Sequence, residues 1–432
     1  RMNYLHTVGQ DTTDVSKLWA FTVAQAAAAI HPVRTLAGAV DAAAPAPGMS
    51  LVFRRVFPNG IIPRNHTGPL GRGWFHNWDL RVDQMPNGDA VVRGAGGFDR
   101  YFTRNPDGTF TPQSGDNATL TLATNGAFRL TETDRTAWQF RSDSLLSYIQ
   151  DNNANRISLT YSGGLLTTIA HSSGAQLLLD YDANGRIAHV TNPLGAGSAD
   201  DRVTTYAYEG EHLVSVTAPG DRVTQYAYET NTAPALRHAL RTVTRPDNTQ
   251  DFFSYDGNGR LIQSAKSCCT GGEPVNFSHD SAGSVTVTDA TGRQTILRYG
   301  LDGALAQVRD GEGRLVNFSY DSTNSLLSRL TGPSGEQYRY TYDSLGNLTG
   351  IEDPLRRDSL FAYEPAFYSL SRVTDARGNG MQYIRDARGN LTAIAYADGS
   401  RERFGYDSVG NVVTSTNRRG QVITYTYNTA GR

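Results

Sequence analysis

Apolar and polar residues alternate through much of this chain. Tyr338, Tyr340 and Tyr342 share one side of an extended segment, with Arg339 and Thr341 on the other. Ile423, Tyr425 and Tyr427 alternate with Thr424 and Thr426 in the same way, and Phe404/Tyr406 and Phe318/Tyr320 repeat the pattern. A period of two is that of a β-strand with one packed face and one wet face. Each of these runs ends in a turn. Beyond the turn the alternation slips: Leu348 and Ile351 lie three apart, as do Leu391 and Ile394. A β-bulge or a strong local twist would reconcile that spacing with a strand.

The runs repeat. Tyr-Asp followed by a Gly turn occurs at Tyr181-Asp182 with Gly185, Tyr255-Asp256 with Gly259, Tyr342-Asp343 with Gly346 and Tyr406-Asp407 with Gly410. Degenerate copies keep the register, among them Tyr320-Asp321 and the acidic positions Glu209, Glu229 and Glu364. From Asp182 the steps are 27, 20, 27, 24, 20, 21, 22, 21, 22, 21 and 21, so the later half is locked near 21 residues. A second turn falls midway, and from Gly378 the turn glycines follow at 389, 399, 410, 420 and 431. Turn signals every 8–12 residues between strand-like runs describe an all-β chain in which each repeat is one antiparallel hairpin.

Two other stretches lack the repeat. Residues 1–48 are Ala-rich; Leu18, Phe21, Ala24 and Ala28 approximate helical spacing, with Asp14 or Ser16 as a cap and His31-Pro32 as a stop. They predict a short helix near 15–30 followed by a linker from Ala42 to Gly48. Residues 49–160 predict a non-repetitive β lead-in that carries Trp74, Trp78 and Trp138, and the repeat array is expected over 161–432.

Composition narrows the function. Gly is 44 of 432 and Tyr 22, while charged residues are only 19% and net charge is −2. There is no overall basic field to hold nucleic acid. No run of about 18 apolar residues predicts a membrane-spanning helix. The two cysteines, Cys268 and Cys269, are adjacent. Neighbouring Cα atoms lie about 3.8 Å apart, short of the ~4.4–6.8 Å a disulfide prefers, so they read as two free thiols in a loop. A chain that opens on Arg1 and stops at Arg432, just past a turn, reads as a piece of something longer.

The Tyr-Asp-x-x-Gly-Asn/Arg-Leu repeat of about 21 residues resembles the RHS or YD repeat of bacterial RHS toxins, insecticidal toxin-complex shell proteins and animal teneurins. The stretch Gly71-Arg72-Gly73-Trp74-Phe75-His76-Asn77-Trp78-Asp79 is similar to the lead-in of bacterial members. The resemblance implies a hairpin ribbon spiralling into a hollow shell or solenoid. In toxins of this type the shell encloses a polypeptide cargo, and in teneurins it supports adhesion. Many toxin members also cleave themselves at Asp-Pro motifs. The sole Asp-Pro here, Asp353-Pro354, sits at an ordinary turn position, and self-cleavage is carried over to no residue.

The candidate site residues are therefore structural repeat positions: Tyr181, Asp182, Gly185, Tyr255, Asp256, Gly259, Tyr320, Asp321, Tyr342, Asp343, Gly346, Tyr406, Asp407 and Gly410. Stacked tyrosines could bind sugars, but recurrence at every turn favours ladders of rings and self-capping carboxylates. No catalytic, cofactor or metal residue is expected. The nine histidines are scattered, with no His-Glu-x-x-His, no Gly-x-Ser-x-Gly and no Walker loop. Asp151-Asn152-Asn153-Ala154-Asn155 mimics a calcium loop but has Arg156 and Ser162 where Gly and Glu belong, and reads as a turn.

The leading expectation is a non-enzymatic, secreted or surface-exposed bacterial scaffold that walls off or displays the rest of its own longer chain or a polypeptide cargo. An adhesin or fibre subunit that binds glycans or like chains is the alternative. A glycosidase on a β-propeller is the third reading, since two hairpins approach the length of a propeller blade.

Overall fold

A computed structural model describes residues 31–94, 99–113, 115–193, 201–230, 233–267, 272–280, 283–300 and 303–428. Among them 29 strands, from Thr119–Leu122 to Val422–Thr424, join one antiparallel sheet in strict chain order. Every strand pairs with the strand before it and the strand after it, so the sheet is a ribbon of consecutive hairpins. It has no break after each four strands, which removes the propeller reading. The helix expected near 15–30 and the pair Cys268-Cys269 lie outside the described residues.

The ribbon begins at Thr119, ahead of the expected boundary at 161. The hairpins before 161 use the same turn geometry without the Tyr-Asp letters. Arg135, Ser144 and Ala154 hold positive φ where later repeats use Gly. The Asp151 turn is built like the later ones, its Oδ1 accepting the N–H groups of Asn153 and Asn155 at 2.9 Å.

The expected bulge is present. Thr341 pairs with Gly350 but Tyr342 pairs with Leu348, which leaves Thr349 as the extra residue and returns Leu348 and Ile351 to one face. The same shift precedes the terminal residue at Ile384/Arg385 and Gly405/Tyr406. The alternation of 21- and 22-residue steps has a local cause. Asp343 N–H bonds the carbonyl four residues on, at Asn347, whereas Asp321 and Glu364 bond the carbonyl five residues on, at Leu326 and Ser369. The steps that follow those longer turns are 22 residues.

Ala42–Ala44, expected as linker, belong to a strand. Thr35–Ala44 pairs antiparallel with Leu51–Pro58. Alanine composition suggests a helix, but here the small side chains let the backbone lie flat on the ribbon. Ala42 and Ala44 are buried, and Asn192 donates to the Ala43 carbonyl at 2.8 Å. A single helical turn, Ile61–Arg64, and a four-stranded sheet over 81–112 complete the lead-in. Trp74, Phe53, Phe57, Leu70 and Val82 pack against ribbon residues such as Ile169, Ile187, Leu213, Leu240 and Leu261 in one core.

That core stops part-way along the ribbon. After Val285, Phe367 and Ala393 are the buried apolar residues of the described ribbon. The strands over 294–424 keep the same alternation, but their aromatic face is only half-buried.

Candidate functional site

Each Tyr-Asp turn is a self-contained hydrogen-bond unit. Asp407 Oδ1 accepts the N–H groups of Val409 and Asn411 at 3.0 and 2.8 Å, and Oδ2 accepts the Asn411 amide at 2.8 Å. Asp343 repeats this with Leu345 and Asn347. At Asp182 and Asp256 the fifth residue is Arg, and Arg186 and Arg260 Nε donate at 2.8 and 2.7 Å. These are Asx turns, and they explain why Asn or Arg follows the glycine. Partial burial pushes the Asp407 carboxyl up, but the Asn411 amide and three backbone N–H groups outweigh it and hold it below its ordinary value. Gly410 has φ +90, a region that β-branched residues avoid.

Tyrosine does a second job. Tyr342 Oη donates to the Leu327 carbonyl at 2.8 Å, Tyr363 to Leu348 at 2.9 Å and Tyr406 to Leu391 at 2.7 Å. Tyr161, Tyr181, Tyr228, Tyr255, Tyr320 and Tyr427 make the same bond to the carbonyl fifteen residues earlier. The acceptor is the first strand residue after the preceding Tyr-Asp turn, so each hydroxyl ties one hairpin to the last. Burial pushes the Tyr255 phenol well up, and the milder burial of Tyr406 pushes it up as well. The repeat letters thus lie along one ribbon edge, one set per hairpin, and do not converge on a pocket.

The chain has a second polar centre that the repeat pattern does not reveal. Arg55 and Asp41, both buried, form an ion pair inside the lead-in. Arg55 Nη2 donates to Tyr226 Oη at 2.6 Å, and Tyr206 Oη donates to Asp41 Oδ2 at 2.7 Å. Trp74 Nε1 donates to Tyr228 Oη at 2.8 Å, and the Arg55 guanidinium lies 5.5 Å from the Trp74 ring centroid. This network pins the lead-in to ribbon tyrosines. Its one signal in the sequence is the tryptophan-rich segment itself.

Two further contacts join distant repeats. Asn155 Nδ2 donates to the Val409 carbonyl at 2.8 Å, and Asn153 exchanges amide hydrogen bonds with Asn390 at 2.9 and 3.1 Å. Asn117 donates to the Leu345 carbonyl. The ribbon therefore returns to itself after 228 to 254 residues. At about 21 residues a repeat, that is about eleven hairpins per revolution. Asn117, Asn153 and Asn155 lie on the edge opposite the Tyr-Asp turns, whereas Leu345, Asn390 and Val409 lie in those turns. One edge of an early stretch thus docks on the other edge of a later one. In the early stretch the lead-in takes the docking place: Arg72 N–H donates to Glu211 O and Arg64 Nη2 to Gly259 O, both at 2.8 Å.

Among the described residues no cluster of three His, Cys, Asp or Glu could hold a metal ion. No helix among them is long and apolar enough to cross a membrane.

The model of the teneurin YD-shell matches residues 237–384, that of the RHS repeat matches 406–432, and a domain of unknown function (DUF6531) matches 34–102. The later ribbon thus carries repeats of the RHS/YD type over 237–384 and 406–432. The chain's architecture is a shell-type scaffold, with the DUF6531 match falling on the lead-in and the YD-shell match on the ribbon. The chain is 28% identical over 325 residues to "Probable deoxyribonuclease RhsB" of Dickeya dadantii (strain 3937). That alignment takes in 68% of this chain and 21% of that protein, so the chain spans about a fifth of its relative's length. Among solved structures, TcdB2-TccC3 is 13% identical, covers 86% of this chain and 24% of its own, and has a TM-score of 0.45. The Photorhabdus luminescens Tc holotoxin pore is 12% identical, covers 84% and 26%, and has a TM-score of 0.37.

Proposed function

We propose that this RHS/YD chain is a stretch of shell wall that encloses another polypeptide region, and that it performs no catalysis itself. The observation that carries the reading is the edge-to-edge contact after one revolution, Asn153 with Asn390 and Asn155 with Val409. A ribbon that meets its own edge makes a wall with an inside, whereas a ribbon that never meets itself makes an open strip. The aromatic face that the lead-in covers over the earlier ribbon is only half-buried over 294–424. The relative is named a deoxyribonuclease. In our reading such an activity belongs to a part outside the aligned fifth, and the repeat positions Tyr181, Asp182, Gly185 and their equivalents are structural. A secreted or cell-surface bacterial setting fits this role.

Cryo-electron microscopy of the natural polypeptide that carries these residues tests the proposal. A closed particle with internal density not assigned to the ribbon is the expected result. Ordered polymers, or specific binding on a glycan array, would instead favour the adhesin.

A further inference from the structure

Imidazoles collect where the lead-in meets the ribbon. His31, the first described residue, is buried with its ring 4.5 Å from Phe277 and 5.5 Å from His279 of the ribbon. Its Nδ1 accepts the Val33 N–H at 3.0 Å, a bond that exists only while that nitrogen is unprotonated. The groups facing this pair are Arg34 beside His31, and Arg260, Asp256 and Asp280 from the ribbon. A second pair sits under the docked lead-in loop. His212 Nε2 lies 2.8 Å from His238 Nδ1, and His212 stacks on Tyr228 at 4.3 Å. Around it are Glu209, Glu211, Arg237 and the lead-in's Arg72, which forms an ion pair with Glu211 at 2.7 Å. One N–H bridges that pair while both rings are neutral; protonating both removes the acceptor nitrogen and places two cations beside Arg72 and Arg237.

We propose that this seam is an acid-sensitive latch, in which protonation of the His31/His279 and His212/His238 pairs detaches the lead-in, residues 31–112, from the ribbon while the ribbon hairpins stay formed. The first pair sets lead-in His31 against ribbon His279; the second lies wholly in the ribbon, and its charge is met from the lead-in by Arg72, whose N–H is bonded to Glu211 O. The hairpins over 294–424 carry their own tyrosine and aspartate bonds, which involve no imidazole. Burial, then the neighbouring His279, pushes His31 down to about 4; burial, then Arg72 and His212, pushes His238 down to about 4. Burial lowers His212 and His279 as well. A detached lead-in frees these groups to titrate near 6.5, so the detached state binds more protons below that pH and docking weakens as pH falls towards 4. Each proton taken up contributes roughly tenfold per pH unit in that window. The latch does not depend on whether the shell holds a cargo.

The test is hydrogen exchange on the whole chain at pH 7.5 and 4.5, with labelling times matched for intrinsic exchange. Arg72 N–H, bonded to Glu211 O, and Ile187 N–H, bonded to Pro69 O, report the seam; amides of 391–416 report the ribbon. Seam protection is expected to fall at least tenfold more than ribbon protection. In a variant carrying His31→Gln, His279→Gln, His212→Gln and His238→Gln, the difference should shrink below threefold. Seam and ribbon losing protection together, or a variant that follows the parent, would overturn the latch. If the fourfold variant does not fold, the parent's own seam-to-ribbon ratio decides: tenfold supports the latch and parity ends it.

Discussion

The ribbon over 119–288 and the ribbon over 294–424 are written in the same repeat, yet one is covered and the other is not. In the first, tyrosines such as Tyr206 and Tyr226 are buried under Trp74 and Arg55. In the second, Tyr340, Tyr383 and Tyr406 keep the same face and are only half-buried. What the two share is the turn chemistry and the Tyr-to-Leu bond across fifteen residues. Local hydrogen bonds therefore define the hairpin, and the lead-in adds a core to whichever hairpins it reaches. Arrays of this kind behave as chains of near neighbours, so damage is expected to stay close to its source.

The largest contrast should come from the rings. Trp74→Ala removes a fully buried indole and its bond to Tyr228, for a cost of about 3–5 kcal/mol. Tyr406→Ala, on the half-covered stretch, should cost only about 1–2 kcal/mol, in line with partial burial. Hydrogen exchange resolved along the chain checks both. Equal losses would mean the open face is covered in solution.

Next come the turn glycines. Gly399 and Gly410 hold φ of +82 and +90. A Cβ on Gly399 meets open space, whereas on Gly410 it would lie 2.8 Å from the Asn153 amide. Gly399→Val should cost about 1–3 kcal/mol from backbone strain alone. Gly410→Val should cost about 1 kcal/mol more, through the contact between successive revolutions. Matching values would show that this contact contributes nothing.

Much of this was legible in the sequence, and the legible part is local. Asp and Gly act within one turn and Tyr reaches only the preceding hairpin, and the spacing of Leu348 and Ile351 already called for a bulge or a strong local twist. Three features were hidden because they are not local. Thr35–Ala44 is a strand because it pairs with Leu51–Pro58 and lies on the ribbon, while its alanines by themselves suggest a helix. The hairpins before 161 lack Tyr-Asp but fold through positive φ at Arg135, Ser144 and Ala154. Asn153 and Asn155 look like any turn asparagines, since their partners lie 237 and 254 residues away. Curvature accumulated over about eleven hairpins brings them together, and no short window records it.

Smaller effects separate carboxylates from rings. Asp407→Ala loses the turn bonds to Val409 and Asn411 and should cost about 0.5–1.5 kcal/mol, less than either change above it. Its pH dependence has a defined sign. A carboxyl held below its ordinary value of 3.8 stabilises the fold above that pH and loses the contribution as acid carries it through the folded value. Asp343 and Asp386 are held down by the same Asn and backbone bonds, so hairpin melting temperature should fall below about pH 4. That window lies beneath the one expected for the histidine seam, and a pH series of exchange experiments separates the two.

The central claim is that the ribbon closes on its own edge after one revolution. Asn153→Cys with Asn390→Cys, in a Cys268→Ser/Cys269→Ser background, tests it by mild oxidation and mass mapping of the monomer. The account expects an intramolecular 153–390 disulfide in high yield, and none from the control pair Asn153→Cys with Arg419→Cys. A 153–390 pair that stays reduced, or that links only between molecules, would contradict it.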